Sequence, residues 1–248
     1  MSAISANSVL PAQRGPVTLV TSDSLRLVGE LSSPPDPQAT VIGVHPLPTH
    51  GGMMDSHIFR KMSWRLPALA NIAVLRFNSR GTSSAAGTSE GSFDRAESEG
   101  LDLESAINFA VEQGLPNIWV IGWSFGTDVI LKNLIDPVIN SPAVKGVILL
   151  SPPLRYTSDL ELSRWSGTGM TVVALIPELD DYLRPDQAME RFAPALDIRI
   201  EAVAGAKHLW VGEKYVYAVL NRVVELIAPD HAPLATEWNG PMQHWNDL

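Results

Sequence analysis

The sequence predicts an α/β fold: a mostly parallel, doubly wound sheet preceded by an N-terminal antiparallel hairpin. Three observations carry this reading. Short apolar runs of strand length alternate along the chain with amphipathic segments of helical period. Most of those runs are apolar without alternation, the pattern of parallel strands buried on both faces. Two earlier runs alternate in period two around Ser22-Asp23-Ser24, which reads as a hairpin.

Residues 17–21 and 25–31 form that hairpin, and the proline-rich Ser32-Ser33-Pro34-Pro35-Asp36-Pro37 then breaks the chain. The buried strands follow at 40–44, 72–77, 117–121, 144–150, 171–176 and 197–203. Helices are expected at 58–68, 97–113, 127–135, 185–196 and 215–227. Within the second of these, Leu101, Leu103, Ala106, Ile107 and Ala110 recur at helical spacing. No internal repeat or long linker interrupts the pattern, so residues 1–230 are expected to form one domain. Residues 231–248, with Trp238 and Trp245 among polar residues and prolines, read as an irregular tail. That tail docks on its own domain or on a second copy in a homodimer.

Composition narrows the partners. With 248 residues, 45% hydrophobic and 18% charged, the chain suits one soluble globule with a large core. A net charge of −9 disfavours nucleic acid and anionic membrane surfaces. The absence of cysteine excludes disulfides, thiolate metal sites and a cysteine nucleophile. No run approaches the roughly 18 apolar residues of a membrane helix. The first residues lack the basic and apolar regions of a secretory signal, so a cytoplasmic location is expected.

Gly122-Trp123-Ser124-Phe125-Gly126 falls between a buried strand and a helix. A Gly-x-Ser-x-Gly in that setting is a nucleophile elbow, a turn so tight that only small residues fit two positions either side of the serine. In an open parallel sheet, ligands bind beyond the carboxyl ends of the strands. The residues there include His45-Pro46-Leu47, Ser124, Glu178-Leu179-Asp180-Asp181 and Lys207-His208. Serine, acid and histidine thus follow successive strands in the order this architecture uses. A serine hydroxyl needs a base to accept its proton, a role for His208. The imidazole in turn needs a carboxylate on its other nitrogen, from Asp180 or Asp181. The Phe125 N–H at the helix start is one oxyanion donor. Leu47 is the candidate for the second, since Pro46 and Pro48 have no N–H.

From about Val41 to Ile227 the chain resembles the α/β-hydrolase superfamily, most of all its small capless members, the serine esterase-like and dienelactone-hydrolase-like enzymes. The stretches carrying the resemblance are His45–Asp55, Leu75–Gly81, Gly122–Gly126, Pro177–Pro185 and Gly205–His208. It implies an α/β-hydrolase fold without a cap domain, with Ser124 as nucleophile, Asp180 as acid and His208 as base. Asp180 is favoured over Asp181 because it stands three residues after the turn position, as in relatives. The implied reaction is acyl transfer to water through an acyl-enzyme, on a small-molecule acyl substrate and without a cofactor. Dienelactone hydrolases use a cysteine where this chain has Ser124, so their lactone substrate is not carried over. Pro177 also stands where relatives often have glycine.

The remaining candidates are weighed against ordinary packing. His45, His50, Asp55 and His57 lie close in sequence but match no metal-binding helix motif, so no metal is expected. Arg76 and Arg80 are read as braces for the floor of the site, as in relatives. Trp123, beside the nucleophile, and Tyr156, Trp165 and Trp210, on loops that follow strands, are candidates to line the substrate pocket. Residues 81–91, rich in Ser, Ala and Gly, read as a mobile surface loop. Only residues 151–170 separate two strands where lids are commonly inserted, too few for a cap. A fairly open site for small or exposed acyl esters follows. A peptidase or acyltransferase with the same triad, and a non-catalytic binding protein, are the alternatives.

Overall fold

The computed structural model describes residues 1–136, 139, 143–195 and 197–247. Eight strands build one sheet: β1 (Gln13–Val20), β2 (Arg26–Ser33), β3 (Ala39–Val44), β4 (Ile72–Phe77), β5 (Ile118–Trp123), β6 (Val144–Leu150), β7 (Thr171–Pro177) and β8 (Ile198–Val203). Their spatial order is β8-β7-β6-β5-β3-β4-β2-β1. From β8 to β4 every pairing is parallel, while β2 pairs antiparallel with both β4 and β1. The expected hairpin is therefore the edge of the main sheet. The helices are α1 (His57–Ala70), α2 (Glu99–Glu112), α3 (Phe125–Asn133), α4 (Asp159–Ser163), α5 (Pro185–Arg191) and α6 (Glu213–Ile227).

Every residue of β3, β4 and β5 is buried, which is why these runs carry no polar alternation. Their side chains feed two cores in turn. Ile118 and Val120 join Leu103, Ile107 and Ile130 of α2 and α3 on one face. Trp119 and Ile121 join Phe59, Met62, Leu220 and Val224 of α1 and α6 on the other. Along α6, Val216, Val219, Leu220, Val223 and Val224 form one buried stripe at helical spacing. β3 leads through α1 to β4, and the chain then returns through α2 to β5 on the other side of β3. The strand order reverses between β3 and β5, where a doubly wound sheet opens its ligand crevice.

Several boundaries differ from expectation for local reasons. α1 continues through Pro67 to Ala70, although proline removes the N–H that would bond Ser63. The Arg14 guanidinium supplies a donor instead, reaching the Ser63 carbonyl at 3.1 Å and the Leu10 carbonyl at 2.8 Å. α5 stops at Arg191 rather than 196, because Pro194 disfavours helical backbone at Ala193; residue 196 lies outside the described residues. The short α4, absent from the sequence-based expectation, is started by a capping box between Ser158 and Glu161. α4 is the one helix between β6 and β7 among the described residues, and the fold has no lid.

Residues 81–91 are more tied down than a mobile loop. Ser83–Ser84 pairs with Gly87–Thr88, and the buried Ser89 donates to the Asn78 carbonyl at 2.7 Å while accepting from the Val28 N–H at 2.9 Å. The C-terminal tail folds back onto its own chain. Glu237–Trp238 pairs with Ser2–Ala3, Gln243–His244 pairs with Ser8–Val9, and Trp245 stacks on Trp64 with Arg60 over both rings. Among the described residues no helix is long and apolar enough to cross a membrane.

Candidate active site

Ser124 follows β5 directly and caps α3, with φ at 53° and ψ at −119°. A non-glycine residue in this region costs on the order of 1–3 kcal/mol, which the surrounding packing must offset. The packing is tight. A Cβ on Gly126 would lie 2.0 Å from the Val44 carbonyl oxygen, and one on Gly122 would lie 2.6 Å from that of Gly126. The Ser124 N–H donates to the Leu150 carbonyl at 2.8 Å, and its own carbonyl accepts from the Thr127 N–H and hydroxyl at 2.8 and 2.6 Å. These contacts hold the turn, and the hydroxyl emerges at the carboxyl rim of the sheet.

His208 reaches the same point from the loop after β8. Its Nε2 lies 2.9 Å from Ser124 Oγ, and its Nδ1 lies 2.9 and 3.1 Å from the two oxygens of Asp180. An ionised carboxylate only accepts, so the proton belongs on Nδ1 and Nε2 is left as the acceptor for the serine hydroxyl. Asp180, buried after β7, also accepts from the backbone N–H groups of Tyr182 at 2.8 Å and Leu183 at 3.2 Å. Asp181 points to solvent. The structure thus brings Ser124, Asp180 and His208 into one hydrogen-bonded chain across three loops.

Two contacts that sequence reasoning missed hold the histidine from behind. The His208 carbonyl accepts from the Trp123 indole N–H at 3.1 Å and the Ser151 hydroxyl at 3.2 Å. Tyr182 lies over the imidazole with ring centroids 4.5 Å apart. Ser151 stands directly after β6, as the other site residues stand after their strands, and that position was the available signal.

A cleft of about 280 Å³ opens over Ser124. Leu47, Trp123, Phe125 and Tyr156 line it, together with His57, Asp128, Arg155 and Tyr182. The backbone N–H groups of Leu47 and Phe125 have no acceptor among the described backbone hydrogen bonds. Trp165 and Trp210 correct the expectation for the substrate pocket. Both are fully buried away from the cleft, Trp165 in the core beneath α3 with its indole N–H on the Leu131 carbonyl at 2.9 Å, and Trp210 in the core against α6. Large apolar side chains on post-strand loops were drawn inward by burial, a choice that loop position alone does not reveal.

The histidine-rich loop after β3 is used internally. The buried His45 ring donates from Nδ1 to the Pro46 carbonyl at 2.7 Å and accepts at Nε2 from the Ser79 N–H at 3.0 Å. Burial pushes its pKa down to about 4, keeping it neutral. His57 bonds the Leu209 carbonyl at 2.9 Å, and burial with Lys61 and Arg60 nearby lowers its pKa to about 4 as well. Asp55 pairs with Arg76, which also holds Glu30 at 2.8 Å. Arg80 is held by Asp102 at 2.8 Å and Asp23 at 3.0 Å. Both arginines brace the loops behind the site. Among the described residues, no three histidine or acidic side chains converge as a metal site.

No protein-family model matches the sequence, and no curated protein matches it. Solved structures do. A serine hydrolase homologue from Coxiella burnetii is 20% identical with a TM-score of 0.67, over 87% of this chain and 96% of that one. An α/β serine hydrolase without a lid from Xanthomonas campestris is 22% identical with a TM-score of 0.65, over 92% and 99%. An esterase from Pyrococcus furiosus is 17% identical with a TM-score of 0.69, over 88% and 94%. These likenesses show the fold: this chain adopts the α/β-hydrolase fold in its lidless form.

Proposed function

We propose that the protein is a serine hydrolase that cleaves a carboxylic ester, or a related acyl bond, through an acyl-enzyme. The observation that carries this reading is the unbroken relay from Ser124 Oγ through His208 to the buried Asp180. The esterase and serine hydrolases that share the fold support it.

In this scheme His208 Nε2 takes the hydroxyl proton as Ser124 Oγ attacks the ester carbonyl. Asp180 holds the imidazole in the tautomer that can accept, and stabilises the imidazolium that forms. The carbonyl oxygen turns towards the Phe125 and Leu47 N–H groups, which stabilise the developing oxyanion near the positive end of α3. The imidazolium then returns its proton to the leaving alcohol. A water molecule, deprotonated by the same histidine, releases the acid and regenerates the serine. No cofactor enters the scheme. The open, lidless cleft suits small or exposed acyl groups better than a long lipid chain.

The test is active-site labelling. A fluorophosphonate probe should modify Ser124, and S124A should abolish both labelling and p-nitrophenyl acetate hydrolysis. Folded wild-type protein that neither labels nor turns over any short acyl ester would overturn the reading.

A further inference from the structure

Among the described residues, Arg155 is the one lysine or arginine lining the cleft over Ser124, and it is exposed there. No described carboxylate lies within ion-pair distance of its guanidinium. The acids that follow it are taken, Glu161 by Lys132 at 3.2 Å and Asp159 by Arg191 at 3.7 Å. Acidic residues outnumber lysine and arginine by 27 to 18 in this chain, so the missing partner does not reflect a shortage of carboxylates. The guanidinium instead stands 5.5 Å from the centroid of the Tyr156 ring, which packs edge-on against Phe125 at 5.9 Å.

The segment that carries Arg155 is held from both sides. Pro152, Pro153 and the buried Leu154, at φ 50°, lead into it. Behind it, Asp128 of α3 accepts from the Tyr156 N–H at 3.1 Å and the Thr157 hydroxyl at 2.6 Å, and the Arg155 N–H bonds the same carboxyl. Asp128 is completely buried beneath this segment, so a molecule in the cleft meets the guanidinium and not the carboxylate. A cation carried on a fixed backbone loses less freedom on binding than one on a mobile loop.

We propose that Arg155 is a specificity contact that binds a carboxylate on the acyl part of the substrate. The contact rests on the hydrolase reading for its chemistry and adds a substrate class: monoesters of dicarboxylic acids. The leaving alcohol must lie beside His208, which returns its proton, and Tyr182 covers the imidazole at that side. The wall of Phe125, Tyr156 and Arg155 is left for the acyl chain. A planar guanidinium offers paired N–H donors that match the two oxygens of a carboxylate. Arg155 plays no part in bond making or breaking.

The experiment compares monoethyl esters of straight-chain dicarboxylic acids of increasing length by pH-stat at pH 8. Each is paired with the ethyl ester of the same length whose far end is an amide, which keeps size and polarity and removes the charge. In the wild type, the carboxylate of best-fitting length should exceed its amide in kcat/KM by about fivefold, mainly through KM. R155Q should bring the ratio to about one and R155K should keep part of it, with circular dichroism melting to show that both variants are folded. The same pairs are titrated by calorimetry on S124A, where binding proceeds without turnover and the Kd ratio should again be about fivefold. Equal kcat/KM and equal Kd within every pair, or no binding of any carboxylate, overturn the contact, as does a preference that R155Q leaves unchanged. A Kd difference on S124A without turnover by the wild type supports the contact and overturns hydrolysis instead.

Discussion

Replacing Asp180 by asparagine isolates the relay from the fold. The carboxylate has two tasks: Oδ1 accepts from the Tyr182 and Leu183 backbone N–H groups, and Oδ2 lies 2.9 Å from His208 Nδ1. Asparagine can keep the first with its carbonyl oxygen, so the turn after β7 stays closed. Its NH2 group then faces Nδ1 and can only donate. The imidazole proton must move to Nε2, 2.9 Å from Ser124 Oγ, where the serine requires an acceptor. The base is present in the wrong tautomer. A loss of about 10³–10⁴ in kcat is expected, corresponding to roughly 4–5.5 kcal/mol of transition-state stabilisation. KM should change little, because neither oxygen of Asp180 reaches the cleft. Hydrolysis of p-nitrophenyl acetate and the rate of fluorophosphonate labelling report the loss, and thermal melting by circular dichroism reports the intact fold. D181N, at the neighbouring exposed position, should stay within about twofold of wild type. Wild-type-like kinetics for D180N, or a large loss confined to D181N, would refute the reasoning.

Three further outcomes follow from the same geometry. Gly126→Ala should cost more than about 3 kcal/mol in urea unfolding and abolish labelling, since its Cβ would lie 2.0 Å from the Val44 carbonyl oxygen, which is backbone and cannot rotate away. His45→Ala should cost about 2–4 kcal/mol, because it leaves the Pro46 carbonyl and the Ser79 N–H unpaired in a buried cavity; kcat should also fall, as Leu47 loses its brace. Asp128 has a folded pKa of about 6, raised above the ordinary 3.8, so its contribution to stability is fully present below pH 3.8 and is lost as pH rises through 6. Relative to D128N, the wild type should therefore lose roughly 3 kcal/mol between pH 3.5 and pH 7.5 in chemical denaturation; a pH-independent difference between the two proteins would contradict this.

Much of the site was legible because a parallel sheet imposes a rule. Residues just beyond the strand ends must gather at one rim, so Ser124, Asp180 and His208 share a neighbourhood once the strands are recognised. The preference for Asp180 over Asp181 came from resemblance, and the structure places the Asp180 carboxylate on the imidazole while Asp181 faces solvent. Loop aromatics obeyed no comparable rule. Tyr156 lines the cleft, whereas Trp165 and Trp210 are sealed in the two cores. Each sits on a loop after a strand, and the direction of its side chain depends on which cavity the neighbouring helices leave open.

Asp128 was equally hidden, since an aspartate in the first turn of a helix reads as an ordinary response to the helix dipole. Its role as a buried anchor is visible only when Tyr156 and Thr157, nearly thirty residues away in sequence, are seen to donate to its carboxylate. Periodicity and turn chemistry are local properties, so this chain's strands, helices and elbow could be read directly from its residues. Orientation within the site belongs to long-range packing: the grip of Trp123 and Ser151 on the His208 carbonyl, the neutral His45 beneath the Leu47 loop and the burial of two tryptophans were decided by the folded whole. Such contacts join residues with no fixed spacing, and only tertiary structure brings them within the few ångströms over which hydrogen bonds and dispersion act.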